Sequence, residues 1–191
     1  MNDWFMGADP DMHCQSIAII DAELNLISLA VVKVKAAYTG TDAILHMADL
    51  ITSLPDSCFS GCQAAAVESQ EIAYTAKDGR NPRSLMLLAN ISGILVGQFS
   101  VFCHDIYLPA PQAWKGSVAK LMHQKRVCKR MGWEYTVRKD YVVPKDALTY
   151  TDVIGKVNDG DWKHIIDSVG LGLWAQSQYE KQQRIERFKN E

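Results

Sequence analysis

Three apolar runs near the start decide the fold: WFMGAD (Trp4–Asp9), QSIAIID (Gln15–Asp21) and LISLAVVKV (Leu26–Val34). The third is rich in β-branched residues, and a polar turn, Pro10–Cys14, joins the first two. Apolar runs of this length between turn residues read as strands, and such short connections join antiparallel neighbours. The opening is therefore a three-stranded antiparallel meander.

The pattern then changes period. Thr39–Asp42 is a helix-start cluster, after which Ala43, Ile44, Met47, Leu50 and Ile51 recur at helical spacing until Pro55. Cys62–Ser69 is a compact apolar run carrying Glu68 near its end, suited to a strand covered on both faces. Glu71–Asn81 is polar and reads as a loop. Arg83–Val101 is an uncharged helix after its first residue, with Ala89, Gly93 and Gly97 making one face small. Ile106–Leu108 is a short strand closed by Pro109 and Pro111. Ser117–Met131 is a basic amphipathic helix, 132–162 is irregular and polar, and a last helix runs from near Trp162 to the end. The order βββ-α-β-α-β-α, plus a closing helix, predicts one α/β domain over residues 1–191, with a five-stranded mixed sheet and helices on both faces.

Charge is unevenly spread. Residues 1–114 carry five Lys/Arg and twelve Asp/Glu, residues 115–139 carry eight and one, and residues 140–191 carry seven and nine. A basic stretch in an otherwise acidic chain suits a polyanion there and cations elsewhere, although a solvated helix face would look the same. Five cysteines without a regular framework fit free thiols in a reducing compartment, and the loose Cys58/Cys62 spacing argues against zinc. MNDWFMGADP has neither a basic nor an apolar signal region, and Ser84–Cys103 is interrupted by Asn90, Ser92, Gln98 and Ser100. The expectation is a cytoplasmic protein with no membrane partner.

Asp9 and Glu68 each end an apolar strand. Were those strands neighbours, about 4.8 Å apart, the two carboxylates could share a hard divalent cation such as Mg²⁺. His164 and Asp167 are three apart on the last helix, so they share a face. Taken singly, each acid has an ordinary explanation: a turn at Asp9-Pro10, a surface acid at Glu68, a solvated helix face at Asp167. An acid at two strand ends together with one on an apolar helix is a more specific pattern.

That set, in order, resembles the RuvC family of Holliday-junction resolvases, which have an RNase H-like fold. Gly7-Ala8-Asp9-Pro10 with the strand ending at Asp21 resembles the family's opening motif, and Val67-Glu68 its second. Ser84–Gly97 is similar to the helix that follows. Pro111–Lys115 with Gln124-Lys125 resembles its basic segment, and His164-Ile-Ile-Asp167-Ser-Val-Gly its C-terminal acidic motif. The resemblance implies that Asp9, Glu68, His164 and Asp167 hold Mg²⁺, or Mn²⁺ given the imidazole, for phosphodiester hydrolysis in branched DNA and four-way junctions. It implies that Lys115 and Lys125 hold the scissile phosphate. Lys120, Arg126, Lys129, Arg130, Arg80 and Arg83 would contact DNA, as would Tyr74, which stands near the position where the family often has an aromatic and this chain has Glu71. Asp11 also replaces the family's usual Gly. His164 stands where many members have an acid, and Asp161 is an alternative carboxylate. Trp114 and Trp133 either stack on unpaired bases or belong to the core. The two-fold symmetry of a four-way junction implies a homodimer, with the helix over 83–101 as the candidate interface.

Three other readings stay open. One is a different RNase H-like nuclease, acting on RNA–DNA hybrids or broadly on branched DNA. Another is a branched-DNA binder whose metal site His164 has broken. The last, an actin-like ATPase, lacks the Gly-rich phosphate loop.

Overall fold

The computed structural model describes residues 3–56, 59–69 and 82–190. The meander is present as β1 (Trp4–Asp9), β2 (Cys14–Asp21) and β3 (Leu26–Lys33), paired antiparallel throughout, with Gly7 opposite Ala18 and Ala18 opposite Leu29. The Asp21 carboxylate accepts from the backbone N–H and side-chain amide of Asn25 and so closes the β2–β3 turn. Leu24 there adopts a φ of 69°.

β4 (Cys62–Val67) lies parallel to β1, and β5 (Asp105–Tyr107) parallel to β4. A sixth strand, β8 (Asp152–Ile154), lies parallel to β3 at the far edge, giving the order β5-β4-β1-β2-β3-β8. The expected count of five is thus corrected to six. The segment from 132 to 162 is not wholly irregular either, because it also holds a separate hairpin, β6 (Tyr135–Val137) with β7 (Val142–Pro144). Strands of three residues are too short to show an alternation in sequence.

Helices cover both faces. α1 (Thr41–Thr52) and α2 (Pro82–Phe99) lie on one, where Met47, Ile51, Ile91, Leu95 and Phe99 meet Met6, Ala8, Ile17 and Ile19. The other face carries α3 (Pro111–Lys115), α4 (Lys120–Arg130) and α5 (Trp162–Asn190). Ile165, Ile166 and Val169 of α5 pack there with Phe5, Ala18, Ile20 and Ala66. Each such side chain, fully buried, contributes about 1.5–3 kcal/mol. The basic helix is shorter than expected, and Gly116, at φ 67°, separates it from α3.

α5 lies unusually close to β1 because the contact is made by glycines. A Cβ on Gly7 would stand 2.0 Å from the Ser168 carbonyl oxygen and 2.3 Å from the Gly172 nitrogen. Ser168 completes the joint: its hydroxyl donates to the Ser16 carbonyl at 2.9 Å and accepts the Asp9 backbone N–H at 3.1 Å. That leaves the Ser16 hydroxyl as the donor to Ser168 Oγ, at 2.6 Å. Side chains alternate across a strand, so Asp9, two residues past Gly7, projects on the α5 side. Among the described residues, no helix is long and apolar enough to cross a membrane.

Candidate active site

Asp9 ends β1, and Glu68 follows β4, its N–H donating to the Ala8 carbonyl at 3.2 Å. β1 and β4 are adjacent, with Ala8 opposite Val67, so both acids emerge at the same end of neighbouring strands. α5 crosses that end and supplies His164 and Asp167. His164 Nδ1 stands 3.3 Å from Asp9 Oδ2. Asp9, Glu68 and Asp167 are 8 %, 7 % and 0 % exposed, a degree of burial that carboxylates reach only when partnered.

Two lysines from the opposite side are the partners. Lys115, the last residue of α3, lies 3.0 Å from Glu68 Oε2 and 3.4 Å from Asp167 Oδ2. Lys120, the first residue of α4, lies 2.8 Å from Asp167 Oδ2. The indole of Trp114 donates to Glu68 Oε2 at 3.0 Å, and the Lys115 ammonium sits 4.4 Å from the centroid of the same indole.

Three carboxyl groups there face two ammoniums and the His164 imidazole. Burial, followed by the charge of Asp167, holds the Asp9 carboxyl above its ordinary pKa, against the lowering effect of the His164 contact. Burial and then Asp9 do the same to Glu68, against Lys115. Burial alone would lower Lys115, but Asp167, Glu68 and Asp9 together hold it above its usual value. Asp167 Oδ1 is buried with no hydrogen-bond partner. An unpartnered carboxylate oxygen beside two further carboxyl groups fits a hard divalent cation. Among the described residues, no three acids, histidines or cysteines are already gathered closely enough to clasp one ion; the Lys115 ammonium bridges Glu68 and Asp167 instead.

The remaining candidates fall elsewhere. Lys125 is not among the cations touching the acids, and Lys120 holds that place. Lys125, Arg126 and Lys129 line the outer side of α4 with Trp133 and Tyr135, and Arg130 is exposed beyond them. Arg83 is exposed on the first turn of α2, its guanidinium beside Gly40. Asp161 does not join the cluster: it pairs with Lys33 and accepts the Asn158 N–H ahead of α5. Tyr74, Arg80, Glu71 and Cys58 lie outside the described residues, as does the loop expected over 71–81.

Two contributions escaped the sequence reading. Trp114 was open between core and base stacking, yet it is buried and serves as a hydrogen-bond donor to Glu68. Its place beside Lys115 in PQAWK was the available signal. Ser168 next to Asp167 carried no signal of its joint with Ser16.

A mixed sheet opening with an antiparallel meander, with acids at the ends of two adjacent parallel strands and on a crossing helix, is an RNase H-like fold. Solved structures similar to it include two of RuvC. RuvC of T. thermophilus in complex with a Holliday junction substrate superposes with a TM-score of 0.60 at 16% identity, over 94% of this chain and 95% of that one. A structure of Thermus thermophilus RuvC alone gives 0.53 at 13% identity, over 96% of each. The yeast mitochondrial Holliday junction resolvase Ydc2 gives 0.46 at 9% identity, over 96% of this chain and 85% of that one. No family model matches the sequence, and no curated protein matches it either. The chain thus resembles the RuvC-type resolvases through its fold.

Proposed function

We propose that this chain is a single-domain, divalent-metal-dependent DNA endonuclease that resolves four-way junctions and related branched DNA. The observation that carries the reading is the meeting of Asp9, Glu68, Asp167 and His164, from two adjacent strand ends and one helix, beneath two lysines. Asp9, Glu68, His164 and Asp167 would hold Mg²⁺ or Mn²⁺. Bound cations at such a site supply Lewis acidity toward a phosphoryl oxygen and lower the pKa of water.

The protein's own residues do the rest. Lys115 and Lys120 draw a phosphate to the carboxylates and neutralise part of its charge. With Nδ1 turned to Asp9, His164 has Nε2 left either to ligate the cation or to orient the attacking water and take up its proton. Trp114 holds Glu68 in one rotamer. Arg126, Lys129 and Arg130 add flanking phosphate contacts that carry no sequence information.

A homodimer suits a substrate with two-fold symmetry. The outward line of α2 supports self-association, because Met86 is 61% exposed and a Cβ on Gly93 or Gly97 would meet nothing within 4 Å.

The test is cleavage of a labelled four-way junction beside linear duplex and RNA–DNA hybrid, for the native protein and Asp9→Asn. Paired nicks confined to the junction and lost in the variant are expected. Preferential cutting of hybrid or plain duplex would retain the nuclease and discard the resolvase. Tight junction binding without cutting in either metal would leave a non-catalytic binder.

A further inference from the structure

The cations that the acid cluster does not use are gathered around an aromatic groove. α4 buries His123, Gln124, Val127 and Cys128. Gln124 ties the helix inward, donating to the Lys163 carbonyl at 3.2 Å and accepting the Val142 N–H at 3.3 Å. The opposite side of α4 presents Met122, Lys125, Arg126 and Lys129, and with Trp133 and Tyr135 these line a groove of about 490 Å³. Trp133 is held from behind, edge-on to the buried Trp162 with ring centroids 6.4 Å apart. The wall of the groove is therefore an indole packed against a buried one.

The three cations are not spent on the protein. The ion pairs found among the described residues engage Lys33, Lys115, Lys120, Arg138, Lys145 and His164, and none engages Lys125, Arg126 or Lys129. Glu134, the one acid between Lys115 and Lys139, is 3.4 Å from Lys145. An apolar aromatic wall rimmed by uncompensated positive charge complements a ligand with a flat π-face and an attached anion. A nucleotide has both: stacking on an aromatic side chain tolerates any base, while lysines and arginines track the backbone. Lys125 to Lys129 lie roughly 8–14 Å along α4 from Lys120 at the acid cluster, so the groove and the cluster share one helix.

We infer that the groove formed by the outer side of α4 with Trp133 and Tyr135 binds an unpaired nucleotide of a DNA strand, the base stacked on Trp133 and its phosphates on Lys125, Arg126 and Lys129. The inference rests on the DNA-nuclease reading for the choice of DNA, and it gives that reading a place for a strand that has left its duplex.

The experiment compares binding of a short fluorescent oligothymidylate with an abasic oligonucleotide of equal length and charge, by anisotropy at fixed salt. The native protein should hold the base-bearing strand about tenfold more tightly. Trp133→Leu should remove that preference, and Trp133→Phe should restore most of it. Because Trp133 also packs on Trp162, a surface variant serves as a second arm: Arg126→Glu with Lys129→Glu should weaken both oligonucleotides alike and flatten their salt dependence. Equal binding of the two oligonucleotides to the native protein, or a preference that survives Trp133→Leu, overturns the inference. So does competition by polyglutamate as effective as that by oligothymidylate, which would make the groove a site for acidic protein segments. Junction cleavage measured in parallel separates the two claims. Normal cutting without base preference removes the groove alone, whereas base preference without cutting upholds the groove and removes the nuclease.

Discussion

Adding one methyl group at Gly7 should destabilise the fold and displace the site together. A Cβ there would lie 2.0 Å from the Ser168 carbonyl oxygen, 2.3 Å from the Gly172 nitrogen and 2.9 Å from the Leu171 carbonyl carbon. All three are backbone atoms of α5, so no side-chain rotation relieves the clash. Ordinary contact begins near 3.4 Å, so α5 must retreat from β1 by about 1.4 Å. Overpacking of a core costs about 1–3 kcal/mol, and a rigid backbone on both sides puts Gly7→Ala at the upper end. With a urea m-value of about 2 kcal/mol/M, the midpoint should fall by roughly 1.5 M. The same retreat carries His164 and Asp167 away from Asp9, and a misplacement of about 1 Å can cost 10²-fold in rate. Urea unfolding followed by far-UV circular dichroism gives the first number, and single-turnover cleavage of a labelled junction gives the second. A midpoint within 0.3 M of the native value, roughly 0.6 kcal/mol at that m-value, together with undiminished cleavage, would refute the claim that the glycine contact sets the site.

Two further outcomes follow from the cluster. Trp114→Phe keeps the ring but removes the donor to buried Glu68, and the loss of a hydrogen bond to a charged group should cost about 1.5–3 kcal/mol, read as a lower urea midpoint; an unchanged midpoint would mean the bond is not made in solution. The raised carboxyls of Asp9 and Glu68 keep their protons in the folded chain at pH values where the unfolded chain, with ordinary carboxyls near pKa 4, has released them. The folded state then binds the extra protons, so in metal-free buffer these two groups lower stability as pH rises from about 4 through their raised values. The double variant Asp9→Asn, Glu68→Gln should show a smaller decline in unfolding free energy as pH rises above about 4 than the native protein, and identical slopes would count against the shifts.

What could be read in the sequence was whatever leaves a pattern long enough to see. β2, β3 and α5 announce themselves through Ile, Val and Leu, and β1 through the uncharged run from Trp4 to Ala8. Asp9 and Glu68 stood out because each carboxylate follows a strand otherwise free of charge. β8 and the β6–β7 hairpin have three-residue strands, too brief for alternation to register, and they form because the meander's edge and α4 offer them a surface. Lys120 rather than Lys125 reaches Asp167 because Gly116, at φ 67°, breaks the basic stretch between Lys115 and Lys120 and turns the start of α4 toward α5. Residue spacing alone could not reveal that bend. The Ser16–Ser168 joint pairs residues 152 apart, and neither residue is unusual in its own surroundings.

The central claim is that the cluster of Asp9, Glu68, Asp167 and His164 cuts DNA with a divalent cation. Asp167 tests it most directly, because it is fully buried, touches both lysines and carries the unpartnered oxygen. The measurement is single-turnover cleavage of a four-way junction by the native protein and Asp167→Asn, in Mg²⁺ and in EDTA, with junction binding followed in the same samples. The account predicts cutting by the native protein in Mg²⁺ alone, and a loss of at least 10²-fold in the variant while the junction is still bound. Cutting that persists in EDTA, or that survives Asp167→Asn undiminished, would contradict it.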